Sequence, residues 1–319
     1  MTWLVTGGAG YIGAHVARAM VADGLDVVVI DDLSTGDSSR IPDVPLVVGS
    51  IRDRDLVRQV LREHGVHAIM HIAGKKQVGE SVAEPLLYYR ENVDGMVALL
   101  DCCQDHGVTK LVFSSSAATY GLPDVDLVDE DTPCLPLSPY GETKLIGEWL
   151  IRDCTTAWGL GAICLRYFNV AGAATPELGD PGAFNLVPLV FQALSRGQRP
   201  QVYGDDYPTP DGTGVRDYIH VSDVADAHLA AARALEHGAP SATYNIGRGA
   251  GFSVLEVLRT IGEVTGLDVR HEVVGRRPGD PARVVAAVDR INDGLGFTAT
   301  HDLRSTVNSA WAGWQWRHR

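Results

Sequence analysis

Seven residues into the chain, the apolar run Trp3-Leu4-Val5-Thr6 breaks into Gly7-Gly8-Ala9-Gly10-Tyr11-Ile12-Gly13. The glycines satisfy G-x-G-x-x-G at 8, 10 and 13, and G-x-x-G-x-x-G at 7, 10 and 13. Glycine is required where a chain turns tightly and where backbone must approach a phosphate closely. A helical pattern opens at Tyr11, and the first N–H groups of a helix favour an anion. A strand, a glycine turn and a helix N-terminus in succession predict a site for the pyrophosphate of a dinucleotide.

The rest of the first half repeats that alternation. Short apolar runs read as buried parallel strands at Trp3–Thr6, Val27–Asp31, Leu46–Val48, Ala68–Ile72, Leu111–Ser114 and Gly161–Arg166. Helical patterns lie between them at Tyr11–Asp23, Arg54–His64, Pro85–His106 and Pro139–Ala157. This order predicts an α/β fold, a doubly wound parallel sheet of the Rossmann type, with ligands at the carboxyl ends of its strands. Beyond about residue 170 the texture becomes loop-rich, with Gly, Pro and Asp clustered in Gly172–Gly182 and Gly204–Gly214. Helical patterns follow at Leu186–Ser195, Asp223–Leu235 and Val254–Thr265, with an extended run at Val269–Val274. The expected organisation is a dinucleotide-binding domain over residues 1–170 and a smaller substrate domain over 171–319. The two interleave, because Tyr244–Ile246 reads as a further strand of the first sheet.

Asp31 ends the second strand, 18 residues after Gly13. An acid there accepts the adenosine ribose hydroxyls and repels a 2′-phosphate, which favours NAD over NADP. The formal net charge of −13, from 27 Lys plus Arg against 40 Asp plus Glu, argues against a nucleic-acid binder or a protein docked on anionic lipid. Five cysteines without a C-x-x-C pair indicate neither a disulfide framework nor a metal site. Reduced thiols, no apolar run long enough to span a bilayer and no basic leader point to a cytoplasmic protein.

Arg outnumbers Lys 23 to 4, which makes each lysine conspicuous. Lys144 lies four residues after Tyr140 in Ser138-Pro139-Tyr140-Gly141-Glu142-Thr143-Lys144. Ser138 suits an N-cap and Pro139 a first turn, so Tyr140 and Lys144 share one face of a helix. A tyrosine base needs its pKa brought from about 10 to near 7, roughly 4 kcal/mol. A lysine cation about 5 Å away supplies roughly 3 kcal/mol at an effective dielectric near 20. Upstream, a strand ends in Ser114-Ser115-Ser116, where a hydroxyl can bond a substrate oxygen. Ser116 is the candidate, and Ser114 and Ser115 read as strand-end caps.

Together these motifs resemble the extended short-chain dehydrogenase/reductases, and most closely the UDP-glucose 4-epimerases. The resemblance runs from Val5 to Trp316. It includes Ala73-Gly74-Lys75-Lys76, Val78-Gly79-Glu80-Ser81, Phe113–Ala117, Tyr167-Phe168-Asn169, Gly204–Thr209, Asp211–Val221 and Arg276-Arg277-Pro278-Gly279-Asp280. It implies an enzyme with non-releasing NAD, in which a hydride leaves the sugar C4 and returns to its other face. Tyr140 would take the proton of the sugar 4-hydroxyl, Ser116 would orient that hydroxyl, and Lys144 would hold the nicotinamide ribose. The resemblance puts Gly7, Gly10, Tyr11, Ile12, Gly13, Asp31, Ser50, Ile51, Lys76, Asn92 and Phe168 at the cofactor. It puts Asn169, Asn185, Leu186, Arg216, Arg277 and Asp280 around the UDP moiety. Two guanidinium forks suit a diphosphate; an ordinary ion pair with Asp217 or Asp280 is the competing reading of Arg216 and Arg277.

The chain departs from that pattern at Gly49-Ser50-Ile51, where the family has Gly-Asp-Ile, at Ile72, where an aromatic is common, and at Pro281-Ala282-Arg283, near the position that gates N-acetylated sugars. UDP-N-acetylhexosamine, UDP-pentose and UDP-glucuronate are the alternative substrates, and a non-catalytic dinucleotide-binding regulator is the alternative of another class. A dehydratase or decarboxylase is disfavoured because no carboxylate follows Ser116 in Ala117-Ala118-Thr119. A homodimer through the helices at Pro85–His106 and Pro139–Ala157 completes the implied picture.

Overall fold

The computed structural model describes residues 1–277 and 279–319; Pro278, within the Arg276–Asp280 run, lies outside the described residues. Seven strands form one sheet. Their order across it is Ala242–Ile246, Gly161–Tyr167, Lys110–Ser116, Val66–His71, Thr2–Thr6, Asp26–Asp31 and Leu46–Val48. Thr2–Thr6 pairs in parallel with both neighbours, Leu4 opposite Val28 on one side and Ile69 on the other. The chain builds outward from Thr2–Thr6 in one direction, then returns and builds in the other. That reversal is a topological switch point, and the glycine turn leaves the carboxyl end of the strand where it occurs.

The strands are apolar on both faces because helices cover both. Leu4, Val28, Ile30, Ile69 and Leu111 pack with Val57, Val60 and Leu61 of the helix Arg54–Glu63 and with Met96, Leu99 and Cys103 of Gly95–His106. Asp53 caps Arg54–Glu63 by accepting from Asp55 and Leu56 N–H, each at 3.1 Å. The pattern expected as one helix over Pro85–His106 is three pieces: Pro85–Tyr88, a π-wound Tyr89–Asp94, and Gly95–His106. The widened turn carries Asn92, whose side chain is buried and bonded inward.

Residues 1–121, 134–166 and 225–244 form one compact unit; residues 122–133, 167–224 and 245–319 form the other. The division passes through the helix Val221–Glu236 and the strand Ala242–Ile246. In the second unit, Val215–His220 pairs with Gly251–Ser253, Arg283–Val284 and Asn169–Ala171. Gln201–Tyr203 pairs separately with Glu272–Val274. The helices Leu186–Ser195, Val254–Thr265 and Leu303–Arg317 share a core built on Phe191, Val257, Ile261 and Val307. Ser253 and Glu256 close a capping box at the start of Val254–Thr265. The run expected at Val269–Val274 begins only at Glu272, because Asp268 accepts the Arg270 N–H at 3.1 Å and holds that segment in a local turn. No helix among the described residues is long and apolar enough to cross a membrane.

Candidate active site

Gly7 has φ of +69°, and a Cβ there would stand 2.7 Å from the backbone of Ala73. A Cβ at Gly13 would stand 2.0 Å from the Gly7 carbonyl oxygen. The turn is therefore closed to side chains at both ends, and Gly10 N–H donates to the Gly7 carbonyl at 3.2 Å within it. The helix Tyr11–Ala22 starts behind Gly10, which has no side chain to cap it. Asp31 is buried and ties this turn to the second strand: Oδ2 accepts from Ala9 N–H and Oδ1 from Leu33 N–H, both at 2.9 Å. Burial raises the Asp31 pKa and those donors oppose the rise.

Lys76 holds its ammonium 5.6 Å from the centre of the Tyr11 ring. Asn92 clamps the neighbouring segment: Oδ1 accepts from Lys75 N–H at 2.7 Å, and Nδ2 donates to the Lys75 carbonyl and to Thr143 Oγ1, each at 3.0 Å. Ile51 is buried in the sheet's core cluster. Ser50 Oγ accepts from Arg52 N–H at 3.2 Å.

The helix Pro139–Trp158 begins as the sequence predicts, with Ser138 Oγ accepting from Gly141 N–H at 3.2 Å. Tyr140, Ser116 and Lys144 are all buried and meet at the end of Lys110–Ser116. Ser116 donates a side-chain hydrogen bond to Tyr140. Lys144 Nζ donates to the Ser114 carbonyl at 2.8 Å and lies 5.0 Å from the Phe113 ring centre and 6.0 Å from that of Tyr140. The Tyr88 ring meets Tyr140 edge-on at 6.5 Å.

Two expectations require correction. The lysine together with a bound nicotinamide cation was expected to draw Tyr140 toward neutral pH; among the chain's own groups burial dominates and holds the phenol above its usual value, with the Ser116 hydrogen bond opposing. Burial also pulls Lys144 down to about 8, which makes its cation a weaker lever. Ser114 and Ser115 were expected to cap the strand. Instead Ser114 Oγ bonds His228 Nε2 at 2.7 Å, and Ser115 Oγ donates to Glu148 Oε1 at 2.5 Å. Sequence reasoning missed Glu148, one turn beyond Lys144 on the same face. It is buried, pairs with Arg166 through both carboxylate oxygens, and its charge holds the Lys144 cation up against burial.

The second unit contains a cleft of about 810 Å³. Its walls include all six residues expected around UDP: Asn169, Asn185, Leu186, Arg216, Arg277 and Asp280. Arg216 pairs with Asp280, as the competing reading had it, and that pair stands in the cleft wall. Asp217 is turned away and accepts from Arg248, Gly249 and Ala286 N–H. The Arg277 guanidinium lies 3.7 Å over the Tyr203 ring. Sequence reasoning also missed the wall formed by Gln201, Tyr203 and Glu272, which a three-residue strand pair assembles. Phe168 is buried in this unit, its N–H donating to the Ile246 carbonyl at 3.1 Å. Arg283 is not among the cleft's lining residues; its Nε donates to the Asp126 carbonyl at 3.0 Å.

Residues 3–247 match the model of the NAD dependent epimerase/dehydratase family. The UDP-glucose 4-epimerase of Azospirillum brasilense is 49% identical over 314 residues, covering 96% of this chain and 90% of that protein. The crystal structure of UDP-glucose 4-epimerase from Brucella ovis in complex with NAD superposes with a TM-score of 0.94 at 39% identity, covering 98% of each chain. A UDP-glucose-4-epimerase from Stenotrophomonas maltophila with bound NAD and formylated UDP-arabinopyranose gives 0.94 at 41%, covering 100% of this chain and 98% of that one. With a glycine turn, a buried Tyr–Ser–Lys group and full-length relatives of one activity, the chain belongs to the NAD-dependent epimerase/dehydratase family.

Proposed function

We propose that this chain is a UDP-glucose 4-epimerase, interconverting UDP-galactose and UDP-glucose at C4 with NAD retained through the cycle. The observation that carries the reading is the Tyr140–Ser116 pair, buried with Lys144 on the same sheet as the glycine turn. The glycine turn fits NAD, since side chains are excluded where a pyrophosphate would lie and Asp31 stands where ribose hydroxyls need an acceptor. Bound NAD supplies a hydride acceptor that can also return the hydride.

The chain's own groups do the rest. Tyr140 removes and restores the proton of the sugar 4-hydroxyl, and Ser116 orients that hydroxyl. Lys144 holds the nicotinamide ribose and adds positive charge near the phenol. The backbone of Gly7–Gly13 with Tyr11 and Ile12, together with Ser50, Ile51, Lys76, Asn92 and Phe168, completes the cofactor contacts. Asn169, Asn185, Leu186, Arg216, Arg277 and Asp280 hold UDP in the cleft. The 1–170 portion thus serves the cofactor and the 171–319 portion the nucleotide sugar. A cytoplasmic homodimer is part of the proposal; Leu86 and Trp149, 70% and 48% exposed on the helices named for the interface, support it.

The test is to denature the purified protein and assay released NAD, then supply the native protein with UDP-galactose and no added NAD. UDP-glucose should form. Absence of UDP-glucose overturns the proposal, and parallel assays with UDP-N-acetylglucosamine, UDP-xylose and UDP-glucuronate test the alternative sugars.

A further inference from the structure

The Tyr207 side chain is 6% exposed and lines the cleft of the second unit, yet its hydroxyl has no hydrogen-bond partner among the described residues. A buried phenol ordinarily finds a partner, because an unmade hydrogen bond forfeits the hydration it had in water. The charges acting on it are those of Asp280, Arg276, Arg216 and Asp206. Both arginines spend donors elsewhere. Arg216 donates to the Val215 carbonyl at 2.8 Å and to Asp280, and Arg276 donates to Asp206.

The ring itself is held firmly. Arg276 stacks over it at 4.0 Å, and Gly204, with φ of +87°, brings backbone so close that a Cβ there would stand 2.9 Å from Tyr207 Cε2. Tyr207 N–H donates to the Gly212 carbonyl at 2.9 Å. The site therefore keeps a phenol in a fixed place in the same wall as Arg216 and Arg277, with its bonding capacity unspent. Burial holds the phenol above its usual pKa, so at neutral pH it is a donor.

We propose that Tyr207 contacts the ligand directly, its hydroxyl donating to a phosphoryl oxygen of the nucleotide diphosphate. The inference rests on the reading of this cleft as the UDP site. Tyr207→Phe removes the oxygen alone and keeps the ring beneath Arg276. Titration calorimetry with UDP, and with uridine by competition, compares the two proteins. The variant should bind UDP about tenfold more weakly and uridine within twofold of wild type. The ligand-free variant should melt no lower than wild type, because an unsatisfied hydroxyl has been deleted.

Unchanged UDP affinity overturns the inference, as does an equal loss for uridine, which would place the effect on the nucleoside. A lower melting temperature without ligand overturns it too, since the hydroxyl would then have a partner in the fold. Failure of wild type to bind UDP is a separate outcome: it removes the cleft assignment first and this inference with it.

Discussion

The ammonium of Lys144 donates to the carbonyl oxygen of Ser114 at 2.8 Å, pinning a buried cation to the carboxyl end of the strand that also supplies Ser116. Burial lowers its pKa to about 8. If the cation supports Tyr140, kcat should fall as pH rises through about 8. Stability should move the opposite way. Between pH 8 and the ordinary lysine value the unfolded chain binds more protons at this group than the native one, so unfolding free energy climbs with pH. Buried cysteines, whose pKa values are raised, work in the reverse sense. The lysine contribution is therefore read as the difference between wild type and Lys144→Met in urea unfolding across pH 7 to 10. A flat difference contradicts the assignment.

Tyr140→Phe keeps the buried ring and its contact with Tyr88 but removes the proton carrier. The variant should retain bound NAD and lose about 10²- to 10⁴-fold in kcat, the usual range for a positioned general base. Cofactor content after denaturation and turnover on UDP-galactose check the two halves. Turnover near wild type would remove Tyr140 as the base.

Glu148 serves two cations, Arg166 directly and Lys144 through its charge. Glu148→Gln leaves the buried Arg166 without its counter-charge, at a cost of about 3–5 kcal/mol. It should also shift the alkaline limb of the kcat profile to lower pH, because a force holding the Lys144 proton is gone. Thermal melting reads the first effect and the pH profile the second. Destabilisation with an unmoved profile would confine Glu148 to packing.

The sequence resemblance implies an Asp at the position of Ser50, whose hydroxyl accepts from Arg52 N–H. Ser50→Asp can preserve that turn bond with one oxygen and offer the other to the adenine amino group. Loss of NAD during prolonged dialysis should slow severalfold in the variant. An unchanged rate would show that this position does not reach the adenine.

The legible parts of the site were those built from short-range spacing. Gly7–Gly13 and the Tyr140–Lys144 pair each lie within one turn or one helical repeat, and the helices Tyr11–Ala22 and Pro139–Trp158 begin where that spacing puts them. The apolar runs of the central sheet were legible because burial on both faces removes polar interruptions. What escaped was assembled across the chain. Glu148 sits at a readable helical interval, but its partner Arg166 is on the strand beyond, and nothing in the spacing pairs them. The π-wound turn at Tyr89–Asp94 has no signal in a pattern that reads as ordinary helix. The wall formed by Gln201–Tyr203 and Glu272–Val274 uses three-residue strands, too short to show alternation. Tyr207 was visible within a motif, yet only its burial without a partner marks it as a contact.

The proposed cycle requires that the hydrogen removed from C4 is the one returned. UDP-galactose deuterated at the sugar C4 should be incubated with the purified protein without added NAD, and the UDP-glucose examined by mass spectrometry and NMR. The product should keep the deuterium at C4 with the configuration inverted. Product that has lost the label to solvent, or no product while Ser116, Tyr140 and Lys144 are intact, would contradict it.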